Sequence, residues 1–377
     1  MNSIAGIVTG NDVTQRNHFG GFMLLRSIVL VAMASPVFWS SGQAQDSDPY
    51  YEGKTLTVYV GRTPGSGADL AARVFARFWS DYIPGEPTIV VRNLPGGGGT
   101  RVWNYGAEVA AADGLHVIFS PTNGAAAVLE EPGLRADFST MPFVGGLLSP
   151  NMAYVRTDKV KSAEELLTAD GLRFGGQSPA LRFDLLGRLA LDALGAEYRY
   201  ITGFQGAADV FNAVRRREVD IQVASLGLYR FSIEPTLVAE GLAIPLWHNP
   251  SADIDGNLTP LDVVADIPSY TEFYRQVTGT EPSGEVFELY KWILPRVNNI
   301  VYAALLPPGT PEEQVTILRE SFVQVTLDPG YRAEEQTMYG FSLPLIGAEE
   351  GTEILDSLYD VPEEIAAFLA DYVDEVR

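Results

Sequence analysis

Three stretches of the sequence set glycines and small polar residues between a β-type run and an apolar-periodic run. They are Pro64-Gly65-Ser66-Gly67-Ala68-Asp69, Pro95-Gly96-Gly97-Gly98-Gly99 and Gly175-Gly176-Gln177-Ser178. A turn without side chains lets several backbone N–H groups point at one anion, and the dipole of the following helix adds to the attraction. A carboxylate or phosphate can be held in this way without a cationic side chain. Glycines at such positions serve tight turns equally well, so the turns define a capability and not a ligand. Arg62 and Arg182 are the cations nearest to them in sequence.

Motifs for catalysis are weaker. Gly65-Ser66-Gly67 begins as a dinucleotide fingerprint does, but Leu70 stands where its third small residue belongs. No Walker sequence occurs. Gly176-Gln177-Ser178-Pro179-Ala180 has the outline of a nucleophile elbow with alanine for its last glycine, which makes a serine hydrolase using Ser178 the catalytic alternative. Its base would be His116 or His248. His116 precedes the serine and alternates within an apolar strand, and His248 follows it by only 70 residues, close for the order serine, acid, histidine. With three histidines and no cysteine, a histidine or thiolate metal centre is disfavoured, and no metal or cofactor is expected. The acids of the carboxyl tail alternate with Ile365, Phe368, Leu369 and Tyr372 at helical spacing, the pattern of a solvated face on an amphipathic terminal helix.

The elements that position these turns alternate strand and helix. Strands are expected at 55–60, 88–92, 115–120, 151–155, 172–174, 198–201 and 220–224, with helices at 70–82, 102–112, 180–194 and 207–217. Repeated βα units imply parallel sheets covered by helices on both faces. The stretch 248–268 breaks the rhythm and reads as loop. Thr310-Pro311-Glu312-Glu313 reads as a helix start, with Thr310 as cap, proline at the first position and Glu313 closing a capping box. A chain of 377 residues, 46% apolar, is long enough for two buried cores. Its formal charge of −22 argues against nucleic acid and against an anionic membrane as partners.

The amino terminus has the order of a secretory signal peptide. Arg26 precedes an apolar run over 27–37, and small residues follow up to Gly42-Gln43-Ala44. Cleavage is expected after Ala44, removing residues 1–44, with Met23 a better start than Met1. The run is shorter than the ~20 residues that span a bilayer. The mature protein is expected to be soluble and exported to the periplasm.

Several motifs in fixed order resemble the tripartite tricarboxylate transporter receptors, the Bug family. They are YEGKTLT from Tyr51, PGSGAD, VVRNLPGGGG, AADGLHVIFSPTNG, FGGQSPALRFDLLGRLAL, YRYITGFQGAADVFNAVRRREVDIQVAS and the tail PEEIAAFLADY. The spacing holds over residues 50 to about 247 and more loosely beyond. Arg62 departs from the pattern, which has an aromatic or aliphatic residue there; Ser66 replaces a glycine, and 253–295 is unusual. The resemblance implies a two-lobed α/β periplasmic solute-binding protein of type II-like architecture, with parallel-rich sheets flanked by helices and a ligand cleft between lobes. One lobe would comprise 50–148 and 246–377 and the other 149–245, with crossings near Leu148 and Trp247. Carried over by position, the ligand-facing residues are Thr63, Pro64, Gly65, Ser66 and Gly67, then Ser120, Pro121, Thr122 and Asn123. The second lobe supplies Gln177, Ser178, Pro179 and Ala180, then Gly203, Phe204, Gln205, Gly206 and Ala207, with Ser225. Asp69, which also caps or orders its own loop, Arg62 and Arg182 complete the set. The implied function is capture of a small carboxylate by hinge closure and delivery to membrane transporter subunits by a monomeric receptor. A ligand-loaded partner of a membrane sensor kinase is the alternative within the binding class.

Overall fold

The computed structural model describes residues 49–376. The expected signal segment lies outside the described residues. Two sheets organise the chain. The first is built from β1 (Thr55–Val60), β2 (Thr88–Asn93), β3 (His116–Ser120) and β4 (Phe143–Leu147). The second follows with β5 (Asn151–Arg156), β6 (Leu172–Gly175), β7 (Tyr198–Ile201), β8 (Ile221–Ser225) and β9 (Ala243–His248). A two-residue hairpin, β10 (Ser251–Ala252) with β11 (Leu258–Thr259), interrupts the loop region, and β12 (Tyr302–Leu305) and β13 (Leu345–Ile346) return to the first sheet. The first sheet has the order β13-β4-β12-β3-β1-β2 and the second β7-β6-β8-β5-β9.

β1 pairs parallel with β2 and β3, and β6 parallel with β7 and β8. Each sheet also contains an antiparallel strand that the βα rhythm does not announce. β12 runs antiparallel between β3 and β4, and β5 antiparallel between β8 and β9. Both are the first strands laid down after the chain crosses from the other sheet, so their direction follows from the crossing and not from a βα unit. β12 and β5 are buried along their whole length, as strands covered on both faces must be.

The helices follow the apolar spacing, with displaced ends. α1 (Gly67–Trp79) starts three residues before the expected position, because Ser66 caps it and accepts from the Asp69 N–H. Its Ala68, Ala71, Ala72, Phe75 and Trp79 form one buried stripe. α2 (Thr100–Glu108) and the short α3 (Gly124–Val128) complete the first series. α4 (Arg182–Leu194) begins two residues later than expected, after Pro179, which puts Arg182 at its first position. α5 (Ala207–Arg215) is followed by the one-turn α6 (Leu226–Leu228), which runs into a π-helical segment, Tyr229–Val238.

α7 (Tyr270–Thr278) and α8 (Glu285–Leu294) pack on the second sheet's layer. The Tyr270 hydroxyl donates to the Ala190 carbonyl at 2.7 Å, and Trp247, fully buried in β9, packs against Tyr270 and Phe273. After α9 (Glu312–Leu327), α10 (Pro329–Tyr339) and α11 (Ala348–Asp356), the terminal α12 (Glu363–Asp374) also reaches α4, where Arg188 donates to the Tyr372 carbonyl. α7, α8 and α12 thus lie against α4, and Trp247 packs within this layer. The capping box expected at Thr310 is not formed. Pro311 is the cap residue of α9, and the Thr310 hydroxyl turns back to the Pro307 carbonyl.

The strands that leave one sheet for the other meet at a cluster of buried asparagines. The Asn249 N–H donates to the Asn151 carbonyl at 2.9 Å, the Asn151 side-chain amide donates to that of Asn298, and Tyr290 donates to Asn249.

Candidate functional site

The glycine turns that open α1 and α4 are built alike. In the first, the Gly61 N–H binds the fully buried Ser120 hydroxyl at 3.2 Å, which fixes the end of β1 to the end of β3. Asp69, third residue of α1, reaches back to accept from the Gly65 N–H at 2.8 Å, and Asn93 and Arg73 donate to the same carboxylate. Burial pushes the Asp69 carboxyl up, but the donors from Arg73, Gly65 and Asn93 outweigh it and hold it below its ordinary value. In the second turn, Asp184 is the third residue of α4. One of its oxygens accepts from the Gln177 and Ser178 N–H groups at 2.5 and 2.7 Å and from the Tyr200 hydroxyl at 2.9 Å. Here burial dominates and pushes the carboxyl up to about 6 against those hydrogen bonds.

The N–H groups of Gln177 and Ser178, expected to face a bound anion, thus already hold an anion of the protein's own. Asp184 escaped the sequence reading. Its signal was available: it stands three residues into the helix after a glycine turn, as Asp69 does.

What remains for an external anion is on side chains. Arg62 follows β1 and Arg182 opens α4, so the two guanidiniums come from different sheets, and both are half-buried. The Arg62 guanidinium lies 3.9 Å from the point a Cβ on Gly99 would occupy, against the second glycine loop. Arg182 stacks on Phe183 at 4.6 Å. Burial pushes both below the ordinary arginine value, Arg182 to about 10, with the Arg62 charge adding to the depression. The Tyr302 hydroxyl, buried at the start of β12, stands in the field of both and lies 3.6 Å from the Cβ position of Gly67 at the start of α1. Among the described residues neither guanidinium has an ion-pair or hydrogen-bond partner. Tyr302 and its neighbour Tyr339 were not legible as site residues, since an aromatic in an apolar strand or at a helix end reads as core. Tyr339 faces α6 across the two halves, 3.4 Å from the Cβ position of Gly227.

The other positions divide. Thr63, Pro64 and Gly65 are exposed, Ser66 is half-buried and Gly67 is exposed at the helix start. Pro121 accepts from Trp103, Thr122 donates to the Ile300 carbonyl, and Asn123 donates to Thr100. Pro179 is buried and Ala180 half-buried. Gly203 and Phe204 bond back to Gln177 and Gly176, and the Ala207 carbonyl accepts from Gln222. Gln205 is exposed and Gly206 caps α5. The Ser225 hydroxyl caps α6. His248 spends its ring on the Ile267 carbonyl and the Leu261 N–H, and His116 packs on Tyr59. Ser178 therefore finds no base in His248. Among the described residues no group of three histidines, acids or cysteines is placed to hold a metal ion, and no helix is long and apolar enough to cross a membrane.

No family model matches the sequence, and comparison with curated proteins finds no relative. Solved structures do match. The periplasmic binding protein BugD is 17% identical, with a TM-score of 0.58 over 85% of this chain and 98% of its own. A TctC solute-binding protein from Polaromonas is 17% identical, with a TM-score of 0.61 over 86% and 99%. MatC from Rhodopseudomonas palustris, solved with bound malate, is 20% identical, with a TM-score of 0.56 over 85% and 99%. Two sheets of the same parallel-rich kind, linked by crossings and covered by helices, account for that likeness. Over most of its length this chain has the fold of the Bug and TctC periplasmic binding proteins.

Proposed function

We propose that the protein is an extracytoplasmic solute-binding receptor that captures a small carboxylate between its two halves and delivers it to a tripartite tricarboxylate-type membrane transporter. One observation carries this reading: two half-buried guanidiniums, unpaired among the described residues and each beside a glycine turn, both act on the same buried tyrosine hydroxyl. In a chain of charge −22, an arginine without a partner stands ready for an anion from outside. The malate in a neighbour of the same fold agrees with that chemistry. The ligand would draw the halves together because its affinity for the closed form exceeds that for the open one. Capture outside the cytoplasm fits the expected export, and binding without turnover fits a serine that lacks a histidine.

A thermal-shift screen of the secreted protein tests the reading. A carboxylate at a hundred times its dissociation constant should stabilise by about 2.7 kcal/mol. Stabilisation by neutral sugars or amines, with carboxylates silent, would refute it. Loss of solute uptake on deleting the gene, with transcription unaffected, would separate transport from sensing.

A further inference from the structure

The first sheet ends at β2, and among the described residues no strand pairs with its outer side. The inner side is fixed on β1, where the Thr88 and Leu94 N–H groups donate to the Lys54 and Val60 carbonyls at 3.0 and 2.8 Å. Strand residues alternate the direction of their main-chain groups, so Ile89, Val91 and Asn93 turn theirs outward. Open edges are blunted by bulges, prolines, short strands or several charges. β2 keeps six residues in unbroken register with β1, holds neither bulge nor proline, and carries one charge, Arg92.

Its two faces differ. On the face that packs against α1, Ile89 and Val91 join Leu70 and Val74 in a groove of about 340 Å³ beside Arg73 and Arg77. Leu70 is 44% exposed there, although α1 buries its opposite stripe. Alternation puts Arg92 on the other face, exposed and level with Tyr59 of β1. From Lys54 to Arg101 six cations stand against three acids, whereas the whole chain has 26 against 48. This region therefore attracts negative charge, and a second copy would bring the same cations to the same edge.

We propose, resting on the receptor reading above, that the outer edge of β2 is where the membrane partner docks. An extended segment of that partner pairs with Ile89, Val91 and Asn93 as a further strand of the sheet. Its apolar side chains enter the groove along α1, and its acidic side chains lie beside Arg92. The chemistry recognised is a strand of alternating apolar and acidic residues. Asn93 also donates to the Arg62 carbonyl and the Asp69 carboxylate, which joins this edge to the turn that opens α1.

Calorimetry on the secreted protein tests the edge with a blocked eight-residue peptide of alternating valine and glutamate, its valine–lysine counterpart, and a fully N-methylated glutamate peptide. The glutamate peptide should bind at least about tenfold more tightly than the lysine peptide, the sum of an attraction gained and a repulsion avoided. N-methylation, which leaves the protein unaltered, should abolish binding. Val91→Pro removes one outward N–H without touching the β1 ladder and should weaken the glutamate peptide at least about fivefold. Arg92→Glu should invert the preference between the peptides. Both variants should keep the parent's melting temperature and carboxylate affinity, yet lose cellular uptake of radiolabelled carboxylates from acetate to citrate. Binding of neither peptide, equal binding of both, or full uptake in both variants overturns the proposal and leaves the receptor reading intact. A dimer of the parent that Val91→Pro dissociates gives the edge to a second copy and overturns the membrane partner. A parent that binds no carboxylate overturns the receptor reading itself, and the membrane partner with it.

Discussion

The turn that opens α1 and the turn that opens α4 use one device in two settings. In each, a strand ends, a glycine-rich turn follows, and the third residue of the helix is an aspartate that reaches back to the turn's own N–H groups. Asp69 shares its carboxylate with the half-buried Asn93 and the exposed Arg73, so a bonded positive charge helps it. Asp184 is equally buried but has only two main-chain donors and a tyrosine, with no bonded cation among the described residues. The difference teaches that a glycine turn can be an anion site already filled from within. In the receptor reading proposed above, recognition of an external anion would then pass from the main chain to the arginines beside it.

The comparison breaks most readily at the carboxylates themselves. Asp184→Ala leaves three half-buried donors without their acceptor and should cost about 3–5 kcal/mol in urea unfolding, at ~1–3 kcal/mol for each lost partner. Asp69→Ala, whose Arg73 and Asn93 partners can turn toward water, should cost about 1–2 kcal/mol. Equal losses would mean that the difference in partners between the two aspartates does not matter.

Acidity sharpens the contrast, because the two aspartates lean in opposite directions. Asp184, raised from 3.8 to about 6 when folded, keeps a proton that the unfolded chain has released between about pH 4 and 6. Its contribution is complete below that window and is lost as pH rises through it, by about 3 kcal/mol in all. Asp69, depressed when folded, contributes stability above its ordinary value of 3.8 that is lost as pH falls. The difference in unfolding free energy between the parent and Asp184→Asn should therefore change between pH 4 and 6 in the parent's disfavour. The same difference for Asp69→Asn should change only below about pH 4. Slopes of the same sign would remove the distinction.

Smaller effects come from the glycines. A Cβ on Gly176 would stand 2.6 Å from both the Asp184 carboxyl carbon and the Tyr200 ring, whereas one on Gly65 meets open space at φ +80°. Gly176→Ala should cost about 2 kcal/mol or more from overpacking, and Gly65→Ala about 1 kcal/mol from backbone strain alone. The smallest effect belongs to Ser178. Its N–H stays with Asp184 whatever its side chain, so Ser178→Ala should lower ligand affinity by no more than the ~0.5–1.5 kcal/mol of one net hydrogen bond. Ester turnover in the parent that vanishes in this variant would make the protein a hydrolase instead.

The βα rhythm was legible because each unit is local: a strand such as β1, a turn and an amphipathic helix such as α1 lie within one window of sequence. The place of β12 was not, since antiparallel insertion between β3 and β4 is set by where the chain returns, nearly 200 residues after β3 ends. The same reason hid the partners of α4. Nothing local in 270–294 or 363–374 says which layer those helices cover. At the site, Arg62 and Arg182 could be named from their nearness to the turns, but their lack of a partner is a property of the folded surroundings. Tyr302 shows the limit from the other side, because its apolar strand explains its ring and hides the proximity of its hydroxyl to the start of α1.

Arg182 carries a consequence for anyone who improves this protein. It occupies the first position of α4, where the helix dipole disfavours a cation by about 0.3–1 kcal/mol, and it faces a second arginine. Directed evolution for yield or heat tolerance, run without ligand, would reward its replacement early, by an acid or a serine. If Arg182 holds the ligand as proposed, the winner of such a selection would be a sturdier scaffold that has lost its ligand, so every round needs binding as a second criterion.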